Sequence, residues 1–88
     1  MAVDLAFLDV GGRLAKKLLE LASTHGVARG RGVMLDLPLT QDELASMLGV
    51  TRESVNRQLA RFRRLGLVAA EKRRFLVLDP EGLRGQIA

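Results

Sequence analysis

A chain of 88 residues, of which 48% are hydrophobic, is long enough for one small domain with its own core and too short for two. The absence of cysteine excludes disulfide bonds, thiolate metal sites and cysteine nucleophiles. No apolar run reaches the ~18 residues of a membrane-spanning helix, and no signal peptide is recognisable, so the expected location is the cytoplasm.

The net charge of +4 is concentrated in one part of the sequence. Eight basic and two acidic residues lie between positions 52 and 74, so this segment carries +6 and the remainder is slightly acidic. Positive charge concentrated in this way is typical of a surface that binds nucleic acid.

The first third of the sequence predicts one helix and one short strand. Apolar residues recur at intervals of three or four between Val10 and Thr24, which predicts a helix with one apolar face, and Asp9 is its expected N-cap. Three glycines then interrupt the pattern, so residues 25–32 are predicted to form a loop. The apolar segment 33–37 predicts a strand that Pro38 ends.

A helix-turn-helix is predicted next. The run TQDE is a capping box, in which the Thr40 hydroxyl accepts from the Glu43 amide and the Glu43 side chain reaches back. Gly49 ends this second helix after about two turns. Only two residues, including the cap Thr51, separate Gly49 from a third helix predicted from Arg52 to Leu65.

The remaining residues predict a hairpin and a final turn of helix. Strands at 67–69 and 75–78 flank a basic tip, and Asp79 and Pro80 suit the cap and first position of a short helix. The predicted fold is therefore α+β, mainly α: a winged helix-turn-helix with three helices and a small antiparallel β wing.

The third helix carries the candidate functional residues. Its predicted buried stripe consists of Val55, Leu59 and Phe62. The opposite face combines charged with small side chains, which let a helix lie close against another surface, whereas a purely solvated face would more often mix Lys with Glu. That opposite face carries Glu53, Arg57, Ala60 and Arg64, with Asn56 beside them.

The second helix of a helix-turn-helix places its N-terminal side chains at base edges in the major groove. The predicted base-reading residues are Arg52, Glu53, Asn56 and Arg57. Arginine can donate two hydrogen bonds to guanine, and glutamate can accept one from cytosine. Residues predicted to contact phosphate are Thr40, Thr51, Ser54, Arg61, Arg64, Lys72, Arg73 and Arg74. The alternatives are a solvated helix start, a simple N-cap at Thr51 and a solvated hairpin tip.

At this point the sequence resembles the Crp–Fnr regulators, the family typified by the cyclic-AMP receptor protein. Leu5–Ala22 resembles the family's hinge and first helix, and Leu39–Val68 resembles its helix-turn-helix, with TRESVNR as the specific part. The resemblance implies that Arg52, Glu53 and Arg57 read a TGTGA-like half-site, and that Thr51 and Ser54 contact phosphate. Asn56 departs from the small residue usual at its position.

The resemblance also implies partners and domain limits. Residues 1–8 correspond to the end of a dimerisation helix and a hinge at Asp9, and 9–88 to the DNA-binding output domain of a larger regulator. No cofactor is expected in this chain, since a cyclic nucleotide or other effector would bind an N-terminal domain. The expected partners are double-stranded DNA, a second copy of the regulator and RNA polymerase, with no membrane.

Three other function classes are alternatives: a protein-interaction module, an enzyme and an RNA-binding protein. A winged helix can serve as a protein-interaction module without DNA binding of its own, and the predicted loop around residues 25–33 would then contact RNA polymerase. An enzyme is not predicted, because the sequence has one histidine, no cysteine, no tyrosine and no converging carboxylates. His25 suits a helix end, where a cation is favourable. Three phenylalanines offer no stacking platform for single strands.

Overall fold

The computed structural model describes residues 10–71 and 73–87. The predicted hinge at residues 1–9 and Lys72 lie outside the described residues. The elements in chain order are α1 (Val10–His25), β1 (Gly26–Arg29), β2 (Gly32–Leu35), α2 (Gln41–Leu48), α3 (Arg52–Arg64), β3 (Val68–Glu71), β4 (Arg74–Val77) and α4 (Pro80–Arg84). The predicted winged helix-turn-helix is confirmed, with the final turn of helix as α4.

The four strands form one antiparallel sheet in the order β1-β2-β4-β3. The loop predicted at residues 25–32 is wrong, because this segment contains β1, which pairs with β2 from Gly26↔Leu35 to Arg29↔Gly32. Its glycine content marks a tight turn, where Gly30 takes a φ of 59°. β2 in turn pairs with β4, so the N-terminal hairpin and the wing share one sheet.

The helix-turn-helix forms as its local signals predict. The Thr40 hydroxyl accepts from the Glu43 amide at 3.1 Å, and the Glu43 carboxylate accepts from the Thr40 amide at 2.8 Å. Gly49 ends α2 with a φ of 69°, a left-handed conformation that glycine adopts without steric cost. Arg13 of α1 donates to the carbonyl of Leu48 and so ties the end of α2 to the first helix.

The wing is tighter than the sequence predicts. β3 extends to Glu71 and β4 begins at Arg74, so only two residues remain at the tip instead of five. Arg73 occupies this turn with a φ of 70°. The pairing Glu71↔Arg74 accounts for the difference, because it carries the ladder to the end of the hairpin.

The core lies between the helices and one face of the sheet. The predicted stripe of α3 is confirmed, since Val55, Leu59 and Phe62 are fully buried. α1 packs against α3 and α4 and contributes Leu14 and Leu18 to the same cluster. Within the described part of the chain, no helix combines the length and the apolar character needed to cross a membrane.

Leu59→Ala tests whether this core holds α3 in place. The substitution removes a fully buried side chain, and we expect it to lower the free energy of unfolding by about 2–5 kcal/mol. Guanidinium denaturation followed by circular dichroism measures the change. The matched control is Arg57→Ala on the exposed face of the same helix, where a change within about 0.5 kcal/mol is expected. Equal losses in the two variants would contradict the orientation of α3.

Candidate nucleic-acid interface

The four predicted base-reading residues lie together on the first two turns of α3. Arg52, Glu53, Asn56 and Arg57 are all exposed. Glu53 and Arg57 lie opposite the buried stripe with Asn56 beside them, whereas Arg52, three residues before Val55, lies on the side of α3 that is close to Asp42 of α2. The 13 residues of α3 form a rod about 20 Å long. Its outer face is narrow enough for the major groove, because Ala60 and Ser54 are the small residues beside the charged ones.

Two hydroxyl groups sit at the N-terminus of α3. The Thr51 Oγ1 accepts from the Ser54 amide at 3.1 Å, which confirms Thr51 as the N-cap. The same hydroxyl donates to Ser54 Oγ at 3.0 Å. This arrangement leaves the Ser54 hydroxyl proton available to an external acceptor. A helix N-terminus adds positive potential at this point, which favours a phosphate.

Thr40 forms a comparable point at the start of α2. Its oxygen is used by the capping box, so its hydroxyl proton is available for a further acceptor. Thr40 borders a cleft of about 530 Å³ between the helix-turn-helix and the wing. Four arginines share the border of this cleft, and we refer to it as the arginine cleft: Arg52, Arg63, Arg73 and Arg74.

Two carboxylates modify the charge of the arginine cleft. Asp42 Oδ2 lies 3.6 Å from Arg52 Nη1, and Asp36 Oδ1 lies 3.8 Å from Arg74 Nε. All four side chains are substantially exposed. Exposed pairs of this kind typically contribute about 0–1 kcal/mol to stability. Each pair places a negative charge beside a guanidinium group that borders the cleft.

The remaining predicted phosphate contacts are placed differently from one another. Arg64 is exposed at the end of α3, and Arg73 is exposed at the wing tip. Arg61 is half-buried and donates to Gln58 at 3.1 Å and to Gln86 at 2.9 Å. Its guanidinium also lies 5.1 Å from the centre of the Phe62 ring. The structure thus joins Arg61 to the C-terminal segment and not to the outer face of α3.

Sequence reasoning missed Arg63 and Asp42. Both border the arginine cleft, which exists only because the wing folds back beside α2 and α3. Nothing local in the sequence brings residues 63 and 42 together. The repeated arginines at the end of α3 were the available signal for Arg63. For Asp42, the sequence indicates only an acidic residue in the first turn of a helix, where a negative charge is favourable.

His25 lies exposed at the end of α1, as predicted, and its Nδ1 is 2.8 Å from the Thr24 hydroxyl. No group of three or more potential metal-binding side chains occurs within residues 10–71 and 73–87. The clustered polar residues of the domain are therefore those of α3 and the arginine cleft.

The family model of the Crp-like helix-turn-helix domain matches residues 12–85. The chain belongs to this family. The resemblance seen in the TRESVNR segment is thereby confirmed, and so is the wider assignment as a DNA-binding domain of the type found in transcription regulators. This Crp-like domain is 42% identical over 80 residues to a CRP-like cAMP-activated global transcriptional regulator of Mycobacterium tuberculosis, covering 91% of the chain and 36% of the relative.

Two further regulators are similar to the chain, one in sequence and one in fold. The Crp-like domain is 35% identical over 88 residues to a global nitrogen regulator of Synechococcus elongatus, covering all of the chain and 40% of the relative. Its fold matches that of the CO-dependent transcription factor CooA from Carboxydothermus hydrogenoformans with a TM-score of 0.85 at 33% identity, covering 96% of the chain and 39% of CooA. The names of these three proteins describe regulators, two of them regulators of transcription. The chain spans about two fifths of their length.

Two substitutions of Thr51 separate its capping role from its contact with a ligand. Thr51→Ala removes the cap, and we expect it to lower the free energy of unfolding by about 0.5–2 kcal/mol. Thr51→Asp retains a good cap but adds a negative charge at the N-terminus of α3. We expect Thr51→Asp to fold with nearly wild-type stability in thermal melts and to bind duplex DNA more weakly. Unchanged DNA binding by Thr51→Asp would place phosphate away from this helix end.

Proposed function

We propose that the Crp-like domain binds DNA sequence-specifically, with the first two turns of α3 in the major groove of a TGTGA-like half-site. The observation that carries the proposal is the exposure of Arg52, Glu53, Asn56 and Arg57 on one capped helix start. This side-chain set matches the hydrogen-bonding pattern of G·C-containing steps. Phosphate-binding groups flank it on both sides.

Each base-reading residue has a chemical role in this proposal. Arg57 and Arg52 each present a planar set of donors that fits O6 and N7 of guanine. Glu53 accepts from N4 of cytosine, and Asn56 can exchange two hydrogen bonds with adenine. Asn56 is the residue that departs from the family pattern, so we expect it to change the preference at one base pair of the half-site.

Phosphate contacts set the register of α3 in the groove. The DNA phosphates are contacted at two helix starts by the hydroxyl groups of Thr40, Thr51 and Ser54. Positive charge is supplied by Arg73 at the wing tip and by Arg64 at the end of α3. Arg63 extends this group because it borders the arginine cleft. Arg61 is the least available of the predicted contacts, since its side chain is half-buried and two of its donors bind Gln58 and Gln86. Lys72 stays a proposed contact at the wing tip.

Full regulatory activity requires more than this interface. We propose that two copies bind an inverted repeat whose half-sites lie about 34–36 Å apart or at a multiple of that distance. A single copy loses the effective concentration that dimerisation supplies. We propose that an effector, a cyclic nucleotide or another ligand, binds outside residues 10–87, since these residues match only about a third of a relative that is named cAMP-activated.

A protein partner is the second candidate function. β1 is exposed along all four residues and, among the described strands, pairs only with β2. An open strand edge is a common docking surface for other proteins. RNA polymerase is the partner that the family resemblance suggests. A chain that shows no salt-dependent DNA binding even at low salt would favour this candidate over the first.

Arg57→Ala tests base reading. We expect the substitution to cost roughly 1–3 kcal/mol on a duplex with two TGTGA-type half-sites in inverted repeat, because a bidentate contact to a base is lost. Fluorescence anisotropy measures binding to this duplex and to a scrambled duplex of equal composition. Binding to the scrambled duplex should change much less. Equal losses on both would show that Arg57 contributes charge and no sequence preference.

Arg73→Ala tests phosphate contact by the wing. We expect affinity to fall on all sequences alike, and the slope of log affinity against log salt to decrease by about one. Arg73→Lys keeps the charge and should retain the slope. Lys16→Ala removes a charge from the exposed side of α1 and serves as the control for net charge. A wild-type slope in Arg73→Ala would contradict the phosphate contact and favour the alternative, a solvated hairpin tip.

A further inference from the structure

Asp42 and Arg52 form an ion pair across the two helices of the helix-turn-helix. Asp42 lies in the first turn of α2, and Arg52 is the first residue of α3. The carboxylate Oδ2 is 3.6 Å from the guanidinium Nη1. Both side chains border the arginine cleft, and Arg52 also borders a second, smaller cleft with Gln41, Glu53 and Asn56. Arg52 and Gln41 therefore border both clefts beside the proposed DNA surface, and Arg52 is the charged one of the two.

The position of Arg52 is unfavourable for an arginine without a partner. A cation at a helix N-terminus faces the positive end of the helix dipole. The side chain is also long, and a free guanidinium samples many rotamers, which must be restricted when it meets a base. Asp42 offsets both effects, because it places a negative charge beside the guanidinium and favours one direction for it.

The ion pair leaves Arg52 able to read a base. A guanidinium has five donors in a fixed plane, and guanine requires two of them. Asp42 faces Nη1, so Nη2 and Nε remain for O6 and N7. The same arginine can thus hold the carboxylate at one edge and guanine at the other.

The carboxylate also acts on DNA as a whole. Asp42 stands among four arginines that border the arginine cleft, where phosphates are proposed to lie, and a carboxylate there repels any duplex. Only a site at which Arg52 holds both guanine and Asp42 compensates this repulsion. When the interface excludes water, charge interactions of this kind become stronger than they are on the free surface.

On these observations we propose that Asp42 is a positioning residue that determines the base specificity of Arg52. The Asp42 carboxylate orients the guanidinium of Arg52 for guanine and weakens binding to DNA sequences that lack this guanine. The inference rests on the proposed DNA-binding function. It assigns the selectivity of one base pair to a residue that itself lies on the first helix of the motif and not on the recognition helix.

The experiment measures discrimination at single base pairs by fluorescence anisotropy. Each base pair of the TGTGA-type half-sites is replaced in turn, and wild type and Arg52→Ala are compared. The base pair whose replacement weakens wild type but not Arg52→Ala is the one read by Arg52. The ratio of affinities for the intact and replaced duplexes at that position is then measured for Asp42→Asn, Asp42→Glu, and Asp42→Asn combined with Arg52→Ala.

We expect Asp42→Asn to lower this ratio about three- to tenfold, the size that follows from loss of preorganisation of one long side chain. The part that comes from lost preorganisation should appear as weaker binding to the intact duplex, and the part that comes from the removed repulsion as tighter binding to the replaced duplex at low salt. Asp42→Glu should restore part of the ratio, because it restores the carboxylate. In the Arg52→Ala background, Asp42→Asn should leave the ratio unchanged, since the effect passes through Arg52.

Asp36→Asn is the matched control. It removes the carboxylate that lies 3.8 Å from Arg74, an arginine on the border of the arginine cleft, and should tighten binding to all duplexes without altering the ratio. Thermal melts establish that each variant is folded at the assay temperature, because Asp42 also favours the start of α2.

The outcomes distinguish failure of the proposed DNA-binding function from failure of the inference about Asp42. A wild-type chain that binds intact and replaced duplexes equally overturns sequence-specific binding and this inference with it. Discrimination that is present in wild type and unchanged in Asp42→Asn overturns the inference alone. Three further outcomes overturn the inference alone. The affinity ratio falls equally in Asp36→Asn, or Asp42→Asn still lowers it in the Arg52→Ala background. The third is an Arg52→Ala variant that discriminates like wild type at every base pair.

Discussion

The burial of one face of α3 is the constraint on which the rest of the interface depends. Val55, Leu59 and Phe62 are fully buried against the other helices, and this fixes the rotation of the helix about its own axis. At about 100° per residue, Glu53, Arg57 and Arg64 then face solvent on the opposite side of the helix. Because only two residues separate Gly49 from α3, the packing of α2 also fixes where the helix begins. The orientation of the base-reading side chains therefore follows from apolar packing, and the arginines themselves contribute little to it.

Hydroxyl groups at the two helix starts serve the fold and the interface together. Thr40 and Thr51 each satisfy an amide of the first turn, which the helix needs whether or not DNA is present. The same geometry directs the free donors of both helix starts outward. A phosphate at either point would thus meet groups that are already ordered, so little conformational entropy is lost on binding. Charge from the wing adds attraction of longer range but less exact placement.

Sequence alone predicted the parts of this domain that depend on neighbours along the chain. The capping box at Thr40, the turn at Gly49 and the buried stripe of α3 are all local patterns, and all are present in the structure. β1 was missed because its glycines dominate the pattern, while its pairing depends on β2, which is itself held by β4. Arg63 and Asp42 were missed for a related reason, since their places beside the cleft follow from how the wing packs. The base-reading assignments of α3 stay predictions.

Specificity in such a domain is a difference between affinities, and attraction alone does not create it. The segment from 52 to 74 is strongly basic, and a surface of this kind binds every duplex. The two carboxylates beside the arginine cleft oppose that general attraction, and each is paired with an arginine on its border. Asp42 differs from Asp36 in its partner, since Arg52 belongs to the proposed base-reading set and Arg74 to the wing. A single negative charge on α2 can therefore weaken binding to DNA without the guanine read by Arg52 more than binding to DNA that has it. An additional arginine on α3 would instead strengthen binding to both.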